Sequence, residues 1–280
     1  MPRMLPYALL LPATLFLCVF FLYPFALVAI DAFSRDGVWT AENFATMAGH
    51  WKFPTAMQNT LLLMAVVVPV QLAMALTMAS AVTRLKRGRS AVLYIFAIPL
   101  GISDLAAGLV WLAIFDQAGF LNSGLHRLGL IDQPLLLLGY QTPGMIFLAI
   151  VLAEVWRATA IMMVIIVAGM GLIPKEYGEA AEVFGASRWQ RFARVTLPML
   201  KPSLQTALIL RVILAFEVFA VVAALGGTNF PVLMGEVYQW QFVMQDRGVA
   251  AAYAMVILGI SVAFTLLILR LLRVPKEARI

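Results

Sequence analysis

The sequence is poor in charge, in cysteine and in histidine. Charged side chains make up 12% of its 280 residues, against about 25% in typical soluble domains, while hydrophobic residues make up 63%. A soluble fold could not cover so much apolar surface, which excludes a soluble enzyme, a disordered chain and a nucleic-acid-binding domain. The single cysteine, Cys18, excludes an internal disulfide, and a histidine-rich metal site is not expected from His50 and His126 alone.

Long hydrophobic runs are the main feature that is present. A membrane-crossing helix needs about 20 mostly apolar residues, and six runs satisfy this requirement. We therefore expect an all-α membrane protein with six transmembrane helices, formed as a single transmembrane domain over residues 1–280. The runs cover Tyr7–Phe33, Thr60–Val82, Ala91–Phe115, Gly144–Met170, Ser203–Leu225 and Val249–Leu272.

Lysine and arginine are concentrated in alternate segments between these runs. Because short cytoplasmic loops are enriched in these residues, the distribution predicts that both termini are cytoplasmic, as are the loops after the second and fourth runs. The residues on this predicted cytoplasmic side are Arg3, Arg84, Lys86, Arg87, Arg89, Lys175, Arg188, Arg191, Arg194, Lys201, Arg270, Arg273, Lys276 and Arg279. The opposite side carries Arg35, Lys52, Arg127 and Arg247.

The long loop after the fourth run, residues 172–201, has the pattern of a short amphipathic helix. Pro174 suits the first position of a helix, where a missing N–H is not needed. One helix face is then predicted to be apolar, because its residues follow the spacing of a single stripe. That face contains Tyr177, Ala180, Ala181 and Phe184.

The same loop is predicted to contain a second short helix. Gly185 is placed to end the first helix, and Ser187 and Gln190 have the spacing of a capping box that opens the second. Pro198 and Pro202 are expected to end it before the fifth run. Taken alone, this pattern fits a hairpin that docks on another protein as well as one that rests on lipid headgroups.

These residues also resemble a known motif. Glu179-Ala180-Ala181, Gly185, Val195 and Leu197-Pro198 are similar, in type and spacing, to the EAA loop of permease subunits of binding-protein-dependent ABC importers. The stretches 9–34 and 99–122 resemble the corresponding parts of the MalF-type (MalF/UgpA-like) sugar permeases. Residues 216–227 do so more weakly, and Thr228 stands where that family has proline.

The resemblance implies a fold, a location and a set of partners. It implies the type I ABC importer (MetI-like) permease fold in a bacterial or archaeal cytoplasmic (inner) membrane, surrounded by lipid. The implied partners are a second homologous permease, two ATPase subunits and an extracytoplasmic substrate-binding protein. The residues implied to couple the permease to the ATPase are Glu179, Ala180, Ala181, Phe184, Gly185 and Ser187.

Nothing in the sequence predicts that this chain performs chemistry. There is no Walker A sequence, so ATP and Mg²⁺ are expected on the partner ATPase and no cofactor is expected on this chain. There is also no HExxH, GxSxG or histidine–cysteine cluster, which argues against a membrane-embedded enzyme. We therefore expect a transport subunit that is not an enzyme.

Several ionisable residues lie inside the hydrophobic runs, where an ionised side chain is costly unless it faces protein or water. Asp104, Glu154, Arg157 and Arg211 fall near the middle of runs three to five, and Glu154 and Arg157 can pair because they are three residues apart on a helix. Two interpretations remain open: an interhelical lock or gate, and a translocation path that contacts substrate. The candidate path or gate residues are Asp104, Trp111, Glu154, Arg157, Arg211 and Glu217.

The leading hypothesis for function is ATP-driven import of a sugar or related carbohydrate. Import of another solute by the same machinery, such as glycerol-3-phosphate, a polyamine or an anion, is the main alternative. Arg157 or Arg211 would suit an anionic solute. A secondary transporter driven by an ion gradient is a further alternative.

Overall fold

The computed structural model describes residues 5–85 and 87–273, which are almost entirely helical. The helices are α1 (Leu5–Leu17), α2 (Tyr23–Phe33), α3 (Glu42–Gly49), α4 (Phe53–Thr83), α5 (Arg89–Ala97), α6 (Asp104–Phe115), α7 (Phe120–Arg127), α8 (Pro143–Gly171), α9 (Lys175–Val183), α10 (Arg188–Arg191), α11 (Leu197–Met199), α12 (Lys201–Phe216), α13 (Ala220–Leu225), α14 (Leu233–Tyr238) and α15 (Arg247–Leu271). π-helical turns at Cys18–Leu22, Phe192–Thr196 and Gln239–Val243 continue neighbouring helices, and 3₁₀ turns cover Ile98–Gly101 and Gly227–Asn229. The basic residues Arg3, Lys86, Lys276 and Arg279, used above to predict orientation, lie outside the described residues.

The described helices provide the membrane spans that the hydrophobic runs predicted. Five are long and apolar enough to cross a bilayer, and a sixth span is formed if the bent pair Arg188–Met199 and Lys201–Phe216 is counted as one. The two members of this pair meet at an angle of 70°. Pro198 lies inside α11 and Pro202 in the first turn of α12, so the chain changes direction at Leu200 between them. The five long spans are Leu9–Phe33, Phe53–Thr83, Asp104–Arg127, Pro143–Gly171 and Arg247–Leu271.

The third hydrophobic run is not one continuous helix, which corrects the sequence prediction. Pro99 lies in a 3₁₀ turn after α5, and Ile102 then adopts an extended conformation. Ser103 starts the next helix by accepting a hydrogen bond from the Ala106 amide at 3.2 Å, as a helix N-cap does. Asp104 is consequently the first residue of α6.

The fifth hydrophobic run is also interrupted. Helix α12 ends at Phe216, and Phe219 has a φ of −134°, outside the helical range, before α13 begins. Helices α6 and α13, which follow the two interruptions, pack closely on each other. A Cβ atom added to Gly108 would lie 2.7 Å from Ala224 Cβ, so the absence of a side chain at this glycine permits the contact.

The chain divides into two compact units. One is formed by residues 5–55 and 233–259 among those described. It contains a two-stranded hairpin of β1 (Ser34–Arg35) and β2 (Val38–Trp39), paired antiparallel. In the same unit, the buried Asn43 amide donates hydrogen bonds to the carbonyl oxygens of Asp31, Ala32 and Ser34 at 2.9–3.2 Å, and so ties α3 to the end of α2.

The other unit is formed by residues 56–232 together with 260–273 among those described. Its core lies along α8, which is the most buried of the long apolar helices. One cluster of buried side chains surrounds the first half of α8 and includes Phe115, Ile150 and Val221. A second cluster surrounds its last turns and includes Ala75, Met163 and Leu204. Helix α8 is therefore the element on which α4, α6, α12 and α13 assemble.

Candidate functional site

The loop at residues 172–201 forms the predicted pair of short helices, and hydrogen bonds define its turn. Gly185 has a φ of +78°, which glycine adopts without strain, and its amide donates to the Glu182 carbonyl at 2.9 Å. The Ala186 amide donates to the Ala181 carbonyl at 3.0 Å. Together these bonds form a Schellman motif at the end of α9, as the position of Gly185 predicted.

The second arm of the hairpin begins with the predicted capping box. The Ser187 amide donates to Gln190 Oε1 at 2.8 Å, and the Gln190 amide donates to Ser187 Oγ at 3.3 Å. Arg191 forms an ion pair with Glu182 and so links the two arms. Pro174 is the residue before α9, one position earlier than the sequence analysis proposed.

The hairpin presents apolar side chains on its surface. Val183 and Phe184 are 85% and 89% exposed, and Tyr177 is also exposed. Glu179 and Ala180 lie on the exposed side of α9, whereas Ala181 is half-buried. An exposed apolar surface on a hydrogen-bonded turn is typical of a site that contacts another protein or a membrane. The structure thus places Glu179, Ala180, Ala181, Phe184, Gly185 and Ser187 together in this hairpin.

A second candidate site is a buried polar network at the centre of the larger unit. Glu154 of α8 and Arg211 of α12 are 1% and 0% exposed, and Glu154 Oε2 lies 2.8 Å from Arg211 Nη2. The same carboxylate reaches Arg157, one turn further along α8, with 3.6 Å between Glu154 Oε1 and Arg157 Nη2. The i, i+3 pairing predicted for Glu154 and Arg157 is therefore present, and Glu154 is shared by two arginines.

The network extends to the helix break in the third run. Arg157 Nη1 lies 2.8 Å from Asp104 Oδ1, at the first residue of α6. The Asp104 side chain is 47% exposed, whereas that of Arg157 is 12% exposed. The Asp104–Arg157 pair is consequently the exposed end of the network, and the Glu154–Arg211 pair is its fully buried end.

Gln71 of α4 completes the network, and the sequence analysis did not single it out. This fully buried side chain accepts a hydrogen bond from Arg211 Nε, and its Nε2 donates to the Glu154 carbonyl at 2.8 Å. It thereby connects α4 to both α8 and α12. The signal that could have found it is a glutamine in the middle of an apolar run, since a polar residue at that depth needs a partner.

Three buried polar atoms of the network have no hydrogen-bond partner among the described residues. Arg157 Nε, Arg211 Nη1 and Glu154 Oε1 are buried without a hydrogen-bond partner among them. Two carboxylates and two guanidinium groups balance in charge, and such a set can lock α6, α8 and α12 together, with α4 joined through Gln71. Its unused donors can also receive a water molecule, a hydroxyl group or an anion.

The remaining candidates lie apart from these ion pairs. Trp111 of α6 stacks on Phe115 with ring centroids 5.7 Å apart, meets the edge of Trp156 at 6.3 Å and packs against the core around the first half of α8. Glu217 is exposed at the end of α12, beside the second helix break. Among residues 5–85 and 87–273, no three His, Cys, Asp or Glu side chains are grouped to hold a metal ion.

Comparison with known proteins identifies the class of molecule to which this hairpin and these spans belong. Residues 71–273 match the family described as binding-protein-dependent transport system inner membrane component. The chain belongs to this family. It is a permease of the ABC importer class, as the EAA-like loop predicted.

Related permeases match this one over most of their length. The sulfoquinovosyl glycerol transport system permease protein SmoG of Agrobacterium fabrum is 30% identical, covering 97% of this chain and 91% of the relative. The arabinooligosaccharides transport system permease protein AraP of Bacillus subtilis is 31% identical, covering 95% and 88%. The trehalose/maltose transport system permease protein MalF of Thermococcus litoralis is 33% identical, covering 68% and 65%.

A solved structure confirms the predicted fold. A chain of the bacterial ABC transporter that imports the acidic polysaccharide alginate superposes with a TM-score of 0.81, covering 96% of this permease and 95% of that chain. The two sequences are 23% identical. The chain therefore has the permease fold of the ABC importer type.

Proposed function

We propose that this permease is one of two transmembrane subunits of an ATP-driven importer for a carbohydrate or a glycerol derivative. The observation that carries the proposal is the α9–α10 hairpin, whose turn is fixed by the Schellman motif and the capping box while Val183 and Phe184 project from it. In this proposal the hairpin seats in a groove on an ATPase subunit, and closure of the ATPase pair moves α9 and the spans connected to it.

The substrate class is supported by the relatives. Their names specify sulfoquinovosyl glycerol, arabinooligosaccharides, trehalose and maltose, and sn-glycerol-3-phosphate. All are sugars, glycosides or a phosphorylated polyol. Import of such a compound is therefore the proposed activity of this permease.

The proposed assembly contains a second, homologous permease, two ATPase subunits that bind ATP and Mg²⁺, and an extracytoplasmic substrate-binding protein. It lies in the bacterial or archaeal inner membrane with both termini of this chain cytoplasmic. The whole chain acts as one permease domain, and residues 172–201 are its coupling segment. The subunit itself has no catalytic role, since hydrolysis occurs on the ATPase.

The buried network is proposed to act as a gate along the translocation path. Glu154, Arg211 and Gln71 hold α4, α8 and α12 together at its fully buried end. Asp104 is the member placed to leave Arg157 when α6 moves, because it is the least buried of the four ionised side chains. Trp111 and Glu217 are placed along the path by this proposal.

The experiment that tests the coupling role compares two charge reversals on α9. The complete importer is reconstituted in proteoliposomes with its binding protein, and sugar uptake is measured together with ATP hydrolysis. Glu179→Arg is expected to reduce uptake at least tenfold. Glu176→Arg is the matched control because it makes the same change in the first turn of the same exposed helix, outside the EAA-like triplet.

Uptake by the two variants distinguishes the possible roles of Glu179. Loss of uptake in Glu179→Arg alone, with both variants inserted at normal levels, supports the coupling role. Equal uptake by the two variants would show that Glu179 does not transmit work from the ATPase. Uptake that persists without ATP and collapses with the ion gradient would instead support a secondary transporter.

Import of an anionic solute is a second candidate, favoured by one feature of the network. Arg157 Nε and Arg211 Nη1 are buried donors without a partner in the described part of the chain, and a phosphate or sulfonate accepts hydrogen bonds from such groups. Binding-protein-dependent ATPase stimulation with glycerol-3-phosphate, a sulfonated glycoside and neutral maltose distinguishes the two. Stimulation by maltose alone would exclude the anionic class.

A further inference from the structure

Two adjoining cavities lie where the end of α4 meets the α9–α10 hairpin. The first, of about 550 Å³, is lined on its polar side by Ser80, Thr83, Arg84, Arg188, Arg191 and Thr196. The second, of about 530 Å³, shares Ser80, Arg84 and Arg188 with it and continues along α4. The two cavities therefore adjoin at these residues and are together called here the α4 groove, the first being its polar end and the second its apolar end.

The polar end of the α4 groove carries uncompensated positive charge. Arg191 is paired with Glu182, but neither Arg84 nor Arg188 has a carboxylate within 4.0 Å among residues 5–85 and 87–273. Thr196 also lines this end, whereas the Thr83 hydroxyl already donates to the Ala79 carbonyl at 2.8 Å. Two guanidinium groups without a carboxylate partner favour an anion with several oxygen acceptors, such as a phosphodiester.

The apolar end lies along a membrane span. It is lined by Ala73, Leu76, Thr77 and Ala81, which recur at the spacing of one face of α4. Trp189 of α10 forms the opposite wall and is 73% exposed. Tryptophan is enriched at the membrane–water interface, so this side chain marks the level at which headgroups meet acyl chains.

From this combination we propose that the α4 groove binds an anionic phospholipid of the leaflet that faces the hairpin. The headgroup phosphate contacts Arg84 and Arg188, and an acyl chain lies along Ala73, Thr77 and Ala81. A soluble phosphate would fill the polar end only and would leave the apolar wall uncovered. Basic pockets between transmembrane helices on the cytoplasmic side are known sites for acidic headgroups, which fits the charge of this one.

The site touches the hairpin, which gives the lipid a role. Gly178 of α9 and Arg188 of α10 both line the polar end, so a headgroup bound there bridges the last turn of α4 and the two hairpin helices. The lipid would hold the hairpin against α4 while its apolar tip remains exposed. We therefore expect ATP hydrolysis that depends on the binding protein to require anionic lipid.

The test uses the whole importer in nanodiscs of phosphatidylcholine alone or of an equimolar mixture with phosphatidylglycerol. Native mass spectrometry counts the lipids retained, and ATPase stimulation is measured in parallel. Arg84→Gln with Arg188→Gln is expected to lower retention of phosphatidylglycerol by about fivefold per arginine and to abolish its effect on ATPase activity. The control is Arg87→Gln with Arg270→Gln, which removes the same charge from positions that do not line the groove.

A third variant tests the apolar end. Thr77→Trp fills the groove without a change in charge and should lower retention of phosphatidylglycerol without affecting assembly with the second permease. Loss of assembly in this variant would show that the groove is a subunit interface and would overturn the proposal. Equal retention of phosphatidylglycerol by the Arg84/Arg188 variant and its control would also overturn the proposal. The same holds if added inorganic phosphate reproduced the whole effect of phosphatidylglycerol on ATPase activity.

Discussion

Glu154 Oε2 lies 2.8 Å from Arg211 Nη2, in a pair whose two side chains are almost completely buried. The same carboxylate lies 3.6 Å from Arg157. One carboxylate therefore contacts two guanidinium groups inside the larger unit. Glu154, Arg157 and Arg211 are consequently not equivalent. Removal of Glu154 leaves two guanidinium groups without it, whereas removal of Arg211 leaves Glu154 with Arg157.

This asymmetry predicts unequal effects of two conservative substitutions. Glu154→Gln is expected to destabilise the permease by on the order of 3 kcal/mol, because it leaves buried positive charge uncompensated. Arg211→Gln should lower the free energy of unfolding by clearly less. Thermal unfolding in detergent, with the yield of inserted protein, measures both variants. If Arg211→Gln proved the more damaging, Arg157 would not be acting as the second partner of Glu154.

The positive φ at Gly185 predicts a specific effect on coupling. Gly185→Ala places a Cβ in the left-handed conformation, which costs about 1–2 kcal/mol, although no atom lies within 4 Å of the added carbon. The end of α9 should then fray, and the sugar transported per ATP hydrolysed should fall. Gly129→Ala is the control, because Gly129 has a similar φ of +69° and no atom within 4 Å of the added carbon but lies outside the hairpin, so this ratio should stay unchanged. A wild-type ratio in Gly185→Ala would contradict the docking role of this turn.

The contact between α6 and α13 predicts a steric effect at Gly108. The added Cβ of Gly108→Ala would lie 2.7 Å from Ala224 Cβ and 3.2 Å from Val221 Cα, atoms that cannot rotate away. The two helices must separate, at an expected cost of about 1–3 kcal/mol. Gly124→Ala in α7 is the control because its Cβ would meet open space. Scanning fluorimetry should show a lower melting temperature for the Gly108 variant only.

The buried Glu236 of α14 predicts a dependence of stability on pH. Burial raises the pKa of its carboxyl group, an effect that Lys52 and His50 partly oppose. A carboxyl whose pKa is raised on folding stabilises the folded protein below its unfolded pKa, about 4.3, and this contribution is lost as the pH rises through the folded pKa. Glu236→Gln should therefore melt at a higher temperature than the wild type near pH 8.

The difference in melting temperature between Glu236→Gln and the wild type should become smaller as the pH is lowered. Melting curves at several pH values measure this difference. His50 Nδ1 lies 3.8 Å from Glu236 Oε2, so the comparison is repeated in a His50→Gln background. A constant difference at every pH in both backgrounds would show that Glu236 does not titrate differently in the folded protein.

Features that depend on local sequence were predictable. The hairpin follows from short-range rules, since a glycine that can adopt positive φ ends α9 and the Ser187–Gln190 capping box starts α10. Four of the membrane spans, all but those of the interrupted third and fifth runs, follow from hydropathy, because each lipid-crossing helix must satisfy its own backbone. The i, i+3 pairing of Glu154 with Arg157 follows from helix geometry.

Features that depend on contacts between distant segments were not predictable in the same way. Hydropathy is continuous across residues 91–115 and 203–225, so it does not show that the backbone leaves the helix at Ile102 and Phe219. The role of Gln71 depends on α8 and α12, which are far from it in sequence and meet it only in the folded protein. The partner of Arg211 likewise required the structure.

The two helix breaks have a consequence for the movement of water. A helix start leaves amides without intrahelical acceptors, and Ser103 satisfies only that of Ala106. In a span surrounded by lipid the remaining groups require solvent or protein, and the half-exposed Asp104 stands beside them. In heavy water, the backbone around residues 102–104 and 217–219 should therefore take up deuterium long before the middle of α8 does, which would show that water reaches both helix breaks.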